Sequence, residues 1–320
     1  NLHPLPALPA GLLAGKPHGA GAGGDSLLDA AGGGGGWGRG ARGPRNPPCG
    51  KGADGFRMSA SFRRQVVALE GRLRKCRNVL TLGVRPDFTD YRPEERRRIL
   101  EADIVYYPST FYADLLDAGG KRIFPSYHTY KCAQDKIRQT ALFQMLGIPH
   151  PRTRVFCGKD PVARILQEFR FPLIAKIPRG SALGRGVFLL RDRAQLEVYC
   201  RRSSPAYIQE YLPIDRDIRA VVIGCRVVHA YWRIAPAGDF RTNLAAGGRV
   251  ELSPVPEAAL RLARETARAC GWNDVGIDLC RCGDSFFVLE ANMKYGRQGF
   301  REAGIDYERL MEELIETHEI

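Results

Sequence analysis

The stretch GIDLCRCGDSFFVLEANMKYGRQG, residues 276–299, contains two runs of alternating apolar residues around a Gly-Asp-Ser turn. This pattern predicts a β-hairpin whose side chains alternate between two faces. In the expected register Asp278 lies opposite Glu290, and Asn292 shares their face. Two carboxylates and a carboxamide suit a hard cation such as Mg²⁺, which takes oxygen ligands and leaves places for phosphate oxygens. The alternative is an exposed hairpin tip with ordinary acidic residues.

The overall composition is that of a globular protein. The chain has 320 residues, 44% hydrophobic and 26% charged, which is room for one large domain or two to three ordinary ones. No window of about 18 apolar residues occurs, so we expect no membrane partner. The proline-broken start lacks a basic segment, which argues against a secretory signal, and the missing initiator Met indicates a fragment or an unusual gene product.

The nine cysteines are scattered, and no two of them form a CxxC pair. An odd count without paired spacing predicts neither a zinc site nor a disulfide framework. Cys280 and Cys282 fall on one strand face, where this spacing places them poorly for bridging each other. We therefore predict reduced cysteines and a cytoplasmic location.

The formal net charge is +13 at pH 7, with basic residues spread along the chain. Clusters such as Arg72-Leu-Arg-Lys75 favour an acidic substrate, a nucleotide or a nucleic acid as partner. On a helix, however, such clusters are most often a solvated face. Charge alone does not choose between these alternatives.

The first 130 residues divide into a tail and a small domain. Residues 1–58 are rich in glycine and proline, and we predict a disordered tail. Residues 59–77 have apolar residues at helical spacing and predict a helix. From Val79 onward apolar runs alternate with helical segments, which favours βαβ units and a small parallel sheet. Because no G-x-G-x-x-G follows the first strand, residues 59–130 indicate a short accessory domain without a dinucleotide site.

A glycine-rich loop follows a predicted strand that ends in Lys176. Its glycines at positions Gly180, Gly184 and Gly186 free backbone N–H groups to approach phosphate, and Ser181 adds a hydroxyl. Since a second strand follows instead of a helix, the segment is not a P-loop. We predict a flap over nucleotide phosphates, with a flexible hairpin turn as the alternative.

These motifs stand in a recognisable order, beginning with a lysine on a helix predicted over residues 132–146. In chain order they are Lys136, Lys176 before the flap, Gln209-Glu210-Tyr211, Asp217-Ile-Arg219, Gly238-Asp-Phe-Arg-Thr-Asn243, Asp278 and Glu290-Ala-Asn292. The set resembles the ATP-grasp superfamily, specifically the RimK-type carboxylate–amine ligases that add glutamate or similar amino acids. Each motif alone is weak, whereas their common order is specific.

The resemblance implies a fold of α/β and α+β type. Two α+β lobes would clasp ATP, and a small βαβ pre-ATP-grasp domain would precede them at residues 59–130. The ATP-grasp domain would cover residues 131–320. Within it, residues 131–205 would include the flap lobe and residues 206–320 the metal-binding lobe.

The resemblance also implies which residues bind and react. Those expected to contact ATP are Lys136, Lys176, Gly180, Ser181, Gly184, Gly186, Glu210, Tyr211, Asp217, Arg241 and Asn243. Those expected to hold Mg²⁺, or Mn²⁺ in its place, are Asp278, Glu290 and Asn292. Those expected to stabilise an acyl phosphate and the tetrahedral intermediate are Arg219, Arg241 and Asn243.

The implied reaction joins a carboxylate to an amino acid or another amine through an acyl phosphate, releasing ADP and phosphate. Two departures from the family pattern bear on the substrates. Residues 293–299 replace the frequent Ala-Ser-Pro-Gly, and Lys294 and Arg297 there indicate an acidic acceptor and argue against assuming glutamate as the added amino acid. Arg233-Ile234 stands where some relatives have two arginines.

Two other classes of function stay open at this point. One is a phosphotransferase on the same scaffold, and the other is a basic nucleic-acid-binding or regulatory protein with a vestigial nucleotide site. The intact set of lysines, carboxylates and asparagine favours the ligase and makes nucleic acid the less favoured partner. The oligomeric state is left open, with a homo-oligomer as one alternative.

Overall fold

The computed structural model describes residues 66–132, 135–180 and 186–320, which form three β-sheets with helices packed against them. The predicted tail at residues 1–58 and the first part of the helix predicted at 59–77 lie outside the described residues. Within the described part of the chain, no helix combines the length and the apolar character needed to cross a membrane.

The first sheet is parallel, as predicted, with strand order β2-β1-β3-β4. Its strands are β1 (Val66–Ala68), β2 (Val79–Thr81), β3 (Ile104–Tyr106) and β4 (Arg122–Phe124), and its helices are α1 (Pro93–Glu101) and α2 (Ser109–Ala118). The helix predicted at 59–77 is wrong from residue 66 onward, because β1 lies inside the sheet and a 3₁₀ helix follows at Gly71–Leu73. A short apolar run buried on both faces cannot be told from a helix by periodicity.

The helix predicted at 132–146 corresponds in the structure to a helix over Lys136–Leu146. Helix α3 (Tyr127–Cys132) precedes it, and α4 (Lys136–Leu146) begins at Lys136 because the Asp135 side chain accepts the Arg138 N–H at 3.0 Å. Helix α4 ends at Gly147, whose left-handed φ of 65° favours glycine.

The second sheet is antiparallel, with strand order β5-β8-β6-β7. Its strands are β5 (Thr153–Phe156), β6 (Leu173–Lys176), β7 (Val187–Leu190) and β8 (Ala206–Glu210), and its helices are α5 (Pro161–Glu168) and α6 (Arg193–Arg202). Apolar residues of the strands and of both helices share one core. The glycine-rich loop connects the edge strand β7 to β6, so the predicted strand–loop–strand arrangement is confirmed.

The third sheet has the order β11-β10-β9-β12-β13. Its strands are β9 (Arg216–Ile223), β10 (Arg226–Ile234), β11 (Arg249–Glu251), β12 (Asp274–Cys282) and β13 (Ser285–Asn292). Helix α7 (Glu257–Ala269) covers one face, and helices α8 (Gln298–Glu302) and α9 (Tyr307–Glu316) follow the hairpin. The sequence did not predict α3, α8 or β11, which are short.

The opposite face of the third sheet packs against the first sheet. One core joins Ala68, Tyr106 and Phe124 of the first sheet to Val221 and Ile223 of β9, together with residues of α8 and α9. The small parallel domain therefore shares an apolar core with the sheet that carries the hairpin and with helices α8 and α9. This contact brings the segment after β1 beside the segment after β13.

Candidate nucleotide and metal site

The predicted hairpin register is confirmed, because Asp278 of β12 pairs with Glu290 of β13. Asn292 lies two residues further along the same strand, so the three oxygen-bearing side chains share a face. Glu290 is partly open, with 26% of its side chain exposed. The Oδ1 atom of Asn292 accepts the Lys294 N–H at 2.9 Å, which fixes the orientation of its amide.

Lys136 approaches this face from the first residue of α4. Its Nζ lies 3.2 Å from Oε1 of Glu290, and only 6% of its side chain is exposed. A lysine at a helix N-terminus adds to the positive end of the helix dipole, which is unfavourable unless an anion is near. Glu290 is one such anion. A bound phosphate would be another, because helix N-termini bind phosphate groups.

Gln139 holds α4 against the hairpin, and sequence reasoning missed it. Its Nε2 donates to Ala291 O at 2.7 Å, and its Oε1 accepts the Ala291 N–H at 3.0 Å. These two buried hydrogen bonds lie next to Glu290 in β13 and one turn after Lys136 in α4. The spacing of three residues from Lys136 was the available signal, since such residues lie on one helix face.

Lys176 is the last residue of β6, and its side chain is buried. Burial, with the nearby charge of Lys136, lowers the pKa of Lys176 to about 8, although Glu290 acts in the opposite direction. Lys176 and Lys136 therefore belong to one electrostatic cluster with Glu290. An anionic ligand that entered this cluster would stabilise the protonated form of Lys176.

The base of the flap is attached to the start of α4. Pro178 O accepts the Lys136 N–H at 3.0 Å, and Arg179 Nε donates to the Asp135 carboxylate at 3.0 Å. Gly180 has a left-handed φ of 66°, a conformation that favours glycine. Gly186 closes the loop, with its carbonyl accepting the Ile177 N–H at 2.7 Å. The predicted residues Ser181 and Gly184 lie outside the described residues.

Asp217 belongs to a buried ion-pair network with Arg233, a residue that was not among the predicted site residues. Arg233 Nε and Nη2 donate to the two carboxylate oxygens of Asp217 at 2.7 and 2.5 Å, and Thr242 Oγ1 donates at 2.6 Å. Only 3% of the Asp217 side chain and 6% of the Arg233 side chain are exposed. The geometry gives Asp217 the role of positioning Arg233 and the loop that contains Thr242.

Arg233 continues the network to Asp278, its Nη2 lying 3.0 Å from Asp278 Oδ2. Arg219 donates to the same carboxylate through Nη2 at 3.0 Å and also through Nε. Burial alone would raise the pKa of Asp278, but the two guanidinium groups outweigh it and hold the pKa below its usual range. Asp278 is therefore ionised and held between two arginines.

Arg241 and Asn243 flank Thr242, so the bond from Thr242 to Asp217 brings their loop to the edge of the network. The guanidinium of Arg241 is paired with Asp239, with Nη2 2.7 Å from Oδ2, and a third of the Arg241 side chain is exposed. Asn243 precedes a 3₁₀ helix at Leu244–Ala246.

Glu210 and Tyr211 lie where the chain leaves the second sheet for the third. The Glu210 carboxylate accepts the Arg152 N–H at 2.5 Å, and the Glu210 N–H donates to Arg152 O at 2.9 Å. Glu210 thus ties the end of β8 to the residue before β5. Tyr211 is half-buried at the start of the linker.

The donor set on the hairpin fits a hard divalent cation. In the described residues no group of three or more His, Cys, Asp or Glu side chains is placed to hold a metal ion. Glu290 and Asn292 supply oxygen donors on one strand face, whereas both carboxylate oxygens of Asp278 contact Arg219 or Arg233, so a bound cation would take most of its shell from Glu290, Asn292, phosphate oxygens and water. All three donors are oxygen, which suits Mg²⁺ or Mn²⁺ better than Zn²⁺.

The charges around the described part of the hairpin face are mostly paired. Arg219 pairs with Asp278, Arg233 with Asp217, Arg241 with Asp239 and Lys136 with Glu290, whereas Lys176 is buried beside Lys136. An anionic ligand such as a polyphosphate would neutralise the positive charge of the two lysines, whereas an apolar ligand would leave it uncompensated.

A cavity of about 340 Å³ adjoins the site and is lined partly by Met293, Lys294 and Arg297, which follow β13. Arg219 connects the two, because its Nη1 donates to Tyr295 O at 3.1 Å while its other nitrogens contact Asp278. The predicted cation Arg297 does line the cavity, but its guanidinium is already paired with Glu308 at 2.6 Å.

Comparison with known proteins agrees with this geometry. A family model described as a RimK-like ATP-grasp domain matches residues 133–315. The chain is 32% identical to β-citrylglutamate synthase B of Danio rerio over 179 residues, which cover 53% of this chain and 44% of that protein. It is 30% identical over 194 residues to the ribosomal protein bS6–L-glutamate ligase of Salmonella newport, covering 58% of this chain and 64% of the relative. The chain thus matches less than two thirds of either relative.

Solved structures show the same fold. A RimK-domain ATP-grasp protein of Sphaerobacter thermophilus has a TM-score of 0.58 at 18% identity, covering 78% of this chain and 98% of that one. The D-alanine–D-alanine ligase of Bacillus anthracis, solved with ATP, has a TM-score of 0.56 at 16% identity, covering 75% and 85%. These similarities confirm the predicted ATP-grasp fold.

Proposed function

The chain belongs to the RimK-like ATP-grasp family, and from that premise we propose that it is an ATP-dependent ligase joining an amino acid to a small-molecule or peptide carboxylate. The observation that carries the proposal is the convergence of Lys136 on Glu290 at 3.2 Å, which joins a helix N-terminus to the oxygen-bearing face of the hairpin. Phosphoryl transfer depends mainly on positioning and on neutralising phosphate charge, and Lys136, Lys176 and the hairpin carboxylates would supply both.

The proposed first step is attack of a carboxylate oxygen of the acceptor on the γ-phosphorus of ATP. The new bond joins that oxygen to phosphorus, the bond to the β–γ bridging oxygen breaks, and ADP leaves. Lys136 and Lys176 would neutralise the phosphate oxygens, and Gly180 and Gly186 at the ends of the flap would bring backbone N–H groups to them. A bound Mg²⁺ would neutralise further charge on the β- and γ-phosphates.

The proposed second step is attack of a neutral amine on the acyl carbon. The carbon–nitrogen bond forms, the amine gives up one proton to the leaving phosphate, and the carbon–oxygen bond to the phosphoryl group breaks to release that phosphate. Arg219, Arg241 and Asn243 are the proposed donors to the oxygens that gain charge. Arg219 is preorganised for this role by its fixed bonds to Asp278 and Tyr295.

For the nucleotide base, Glu210 and Tyr211 are the proposed contacts, because they begin the linker between the two sheets. Asp217 would act on the nucleotide indirectly, since Arg233 and Thr242 occupy its carboxylate. A cytoplasmic location is part of the same proposal and rests on the pattern of the cysteines.

The test is ADP release by the purified full chain with Mg²⁺-ATP, a pool of carboxylic acids and a pool of amino acids. Turnover that needs both pools supports the ligase. ADP release that needs an acceptor but no amine would favour a phosphotransferase instead. A chain that fails to bind Mg²⁺-ATP and binds RNA or DNA with strong salt dependence would contradict the proposal.

A matched pair of variants makes that result specific. Glu290→Gln keeps the shape of the side chain and removes the proposed metal-binding charge, so turnover should fall by about 10² or more. Glu101→Gln makes the same chemical change at an exposed position of α1 and should leave turnover unchanged.

A further inference from the structure

Asp274 is the first residue of β12, and its carboxylate is completely buried. The two steps proposed above make no use of it. Its Oδ2 accepts the Tyr107 hydroxyl at 2.8 Å, and its Oδ1 accepts the Tyr295 hydroxyl at 2.6 Å. Arg72 Nε lies 3.9 Å from Oδ2, so the carboxylate has a cation beside it. The carboxylate therefore joins three separate segments, which are the first sheet's domain, β12 and the loop after β13 at residues 293–297.

The charges of this cluster compensate each other. Burial raises the pKa of Asp274, while the charge of Arg72 and the hydrogen bonds from Tyr295 and Tyr107 act in the opposite direction. Arg72 Nε also donates to the Tyr307 hydroxyl at 3.0 Å, and the guanidinium carbon lies 4.7 Å from the centre of the Tyr295 ring. The Tyr295 side chain is therefore held twice, by its hydroxyl on Asp274 and by its ring against Arg72.

Tyr107 reaches Asp274 from an unusual backbone conformation. Its φ of 43° lies in the left-handed region, which residues with a Cβ rarely adopt. Two hydrogen bonds hold it there, since the Glu70 N–H donates to Tyr107 O at 2.8 Å and the Tyr107 N–H donates to Phe124 O at 2.5 Å. Strained residues of this kind are concentrated at functional sites. The first sheet's domain thus holds a strained residue whose hydroxyl ends on Asp274.

Tyr295 also contacts the arginine proposed to act in the reaction. Asp274, Gly276 and Asp278 share one face of β12, since the strand pairs with β9 without a register shift over these residues. Tyr295 crosses this face at Gly276, where an added Cβ would lie 2.5 Å from Tyr295 Cβ and 2.9 Å from Arg219 Cδ. Tyr295 O accepts the hydrogen bond of Arg219 Nη1 at 3.1 Å, and Arg219 Nη2 donates to Asp278 Oδ2 at 3.0 Å. Tyr295 and Arg219 therefore link the buried carboxylate of Asp274 to the carboxylate on the proposed metal face.

We propose that Asp274 is a positioning residue for the ligase reaction, which holds Tyr295 across β12 so that Tyr295 O keeps the Arg219 guanidinium directed at the acyl phosphate. The inference rests on the proposed function, in which Arg219 donates to the oxygens that gain charge. Rotation of the Tyr295 ring away from Asp274 would move its backbone oxygen and release Nη1 of Arg219. Misplacement by about 1 Å can cost about 10²-fold in rate, so this buried hydrogen bond bears on turnover without touching a substrate.

The alternative is that the cluster only fastens the first sheet's domain to the third sheet. Loss of the Tyr295 hydroxyl would then lower stability and leave Arg219 and the reaction unaffected. Tyr295→Phe distinguishes the two, because it removes the hydroxyl and keeps both the ring and the backbone oxygen. Tyr112→Phe is the matched control, because the buried Tyr112 donates its hydroxyl to Arg85 O at 2.9 Å and belongs to a different apolar core.

The test measures ADP release by the full chain with Mg²⁺-ATP and saturating pools of carboxylic acids and amino acids, beside calorimetric titration of Mg²⁺-ATP. In Tyr295→Phe we expect kcat to fall by about tenfold or more with the Kd for Mg²⁺-ATP unchanged, because Arg219 acts on the intermediate. Tyr112→Phe should keep the wild-type kcat. An unchanged kcat in Tyr295→Phe, or an equal fall in Tyr112→Phe, would overturn the inference.

Proton–nitrogen NMR spectra of the arginine side chains follow Arg219 without any need for turnover. The Nε–H signal of Arg219 is assigned by its disappearance in Arg219→Lys, and it should move in Tyr295→Phe and stay in place in Tyr112→Phe. A signal that moves in a chain without ligase turnover would contradict the proposed function and leave the positioning of Arg219 intact. Ligase turnover with the signal and kcat both unchanged in Tyr295→Phe would do the reverse.

Asp274→Asn takes the place of Tyr295→Phe if that variant fails to fold. The amide keeps an oxygen that accepts the Tyr295 hydroxyl, but it lacks the charge that strengthens the hydrogen bond. We expect kcat to fall by about threefold, with movement of the Arg219 signal. An unmoved signal with an unchanged kcat would again overturn the inference.

Discussion

Replacing Arg233 with methionine tests whether the buried network of Asp217, Arg233 and Asp278 holds the site together. The substitution keeps an unbranched side chain, but it removes both guanidinium donors to the Asp217 carboxylate and leaves the hydrogen bond from Thr242 Oγ1. Only 3% of the Asp217 side chain is exposed, so water cannot replace the lost guanidinium. Breaking a buried ion pair in this way costs about 3–5 kcal/mol, and we expect that loss in the free energy of unfolding.

The second part of the prediction is that a double variant recovers much of the lost stability. Removing both charges with Asp217→Asn and Arg233→Met leaves no buried unpaired carboxylate, so the double variant should regain about half of the loss or more. A double-mutant cycle with the two single variants isolates the pairwise term. Asp278 keeps its bonds to Arg219 in every variant, and its lost contact with Arg233 is common to Arg233→Met and the double variant, so that loss cancels in the cycle.

The measurement is urea unfolding followed by tryptophan fluorescence. A loss below about 1 kcal/mol, or a double variant no more stable than Arg233→Met, would refute the reasoning.

Three further predictions concern the nucleotide and the turnover. Because the pKa of Lys176 is about 8 and a bound phosphate would raise it, ATP affinity should fall about twofold between pH 7 and pH 8 and more steeply above pH 8, and Lys176→Arg should abolish that fall in a calorimetric titration. In Gly276→Ala the added Cβ would lie 2.5 Å from Tyr295 Cβ and 2.9 Å from Arg219 Cδ, so we expect a loss of about 1–3 kcal/mol in thermal unfolding, and an unchanged midpoint would contradict the close approach. Arg241→Ala should lower kcat for ADP release by about 10² or more, whereas a raised KM at unchanged kcat would deny it a role in the transition state.

The hairpin shows how far the sequence could predict the site. The expected pairing of Asp278 with Glu290 followed from a three-residue turn, Gly283-Asp-Ser285. The structure has a two-residue turn with Cys282 opposite Ser285, and a bulge after Asp278 restores the expected pairing. The prediction was correct through two compensating errors, because neither turn length nor bulge position can be read from alternation alone.

Arg233 shows why part of the site could not be predicted. Counting outward from the turn at Gly224-Cys225 would pair Asp217 with Trp232. A register shift between Val227 and His229 moves the pairing by one residue and puts Arg233 opposite Asp217. A one-residue shift exchanges the faces of a strand, so the ion pair depends on a bulge that the local sequence does not signal. Gln139, in contrast, could have been predicted from the sequence, since it lies one helical turn from Lys136.

Arg219 contacts both the hairpin that carries the proposed metal ligands and the loop that lines the cavity. Through Nε and Nη2 it holds Asp278, which belongs to the proposed metal face, and through Nη1 it holds Tyr295 O in the loop that lines the cavity. Gly276 leaves the space in which this side chain passes between the strand and the loop. Movement of the loop would therefore change the hydrogen bonds of the arginine proposed to stabilise the acyl phosphate. Because one guanidinium spans both places, filling of the cavity and stabilisation of the intermediate should be energetically coupled and not independent.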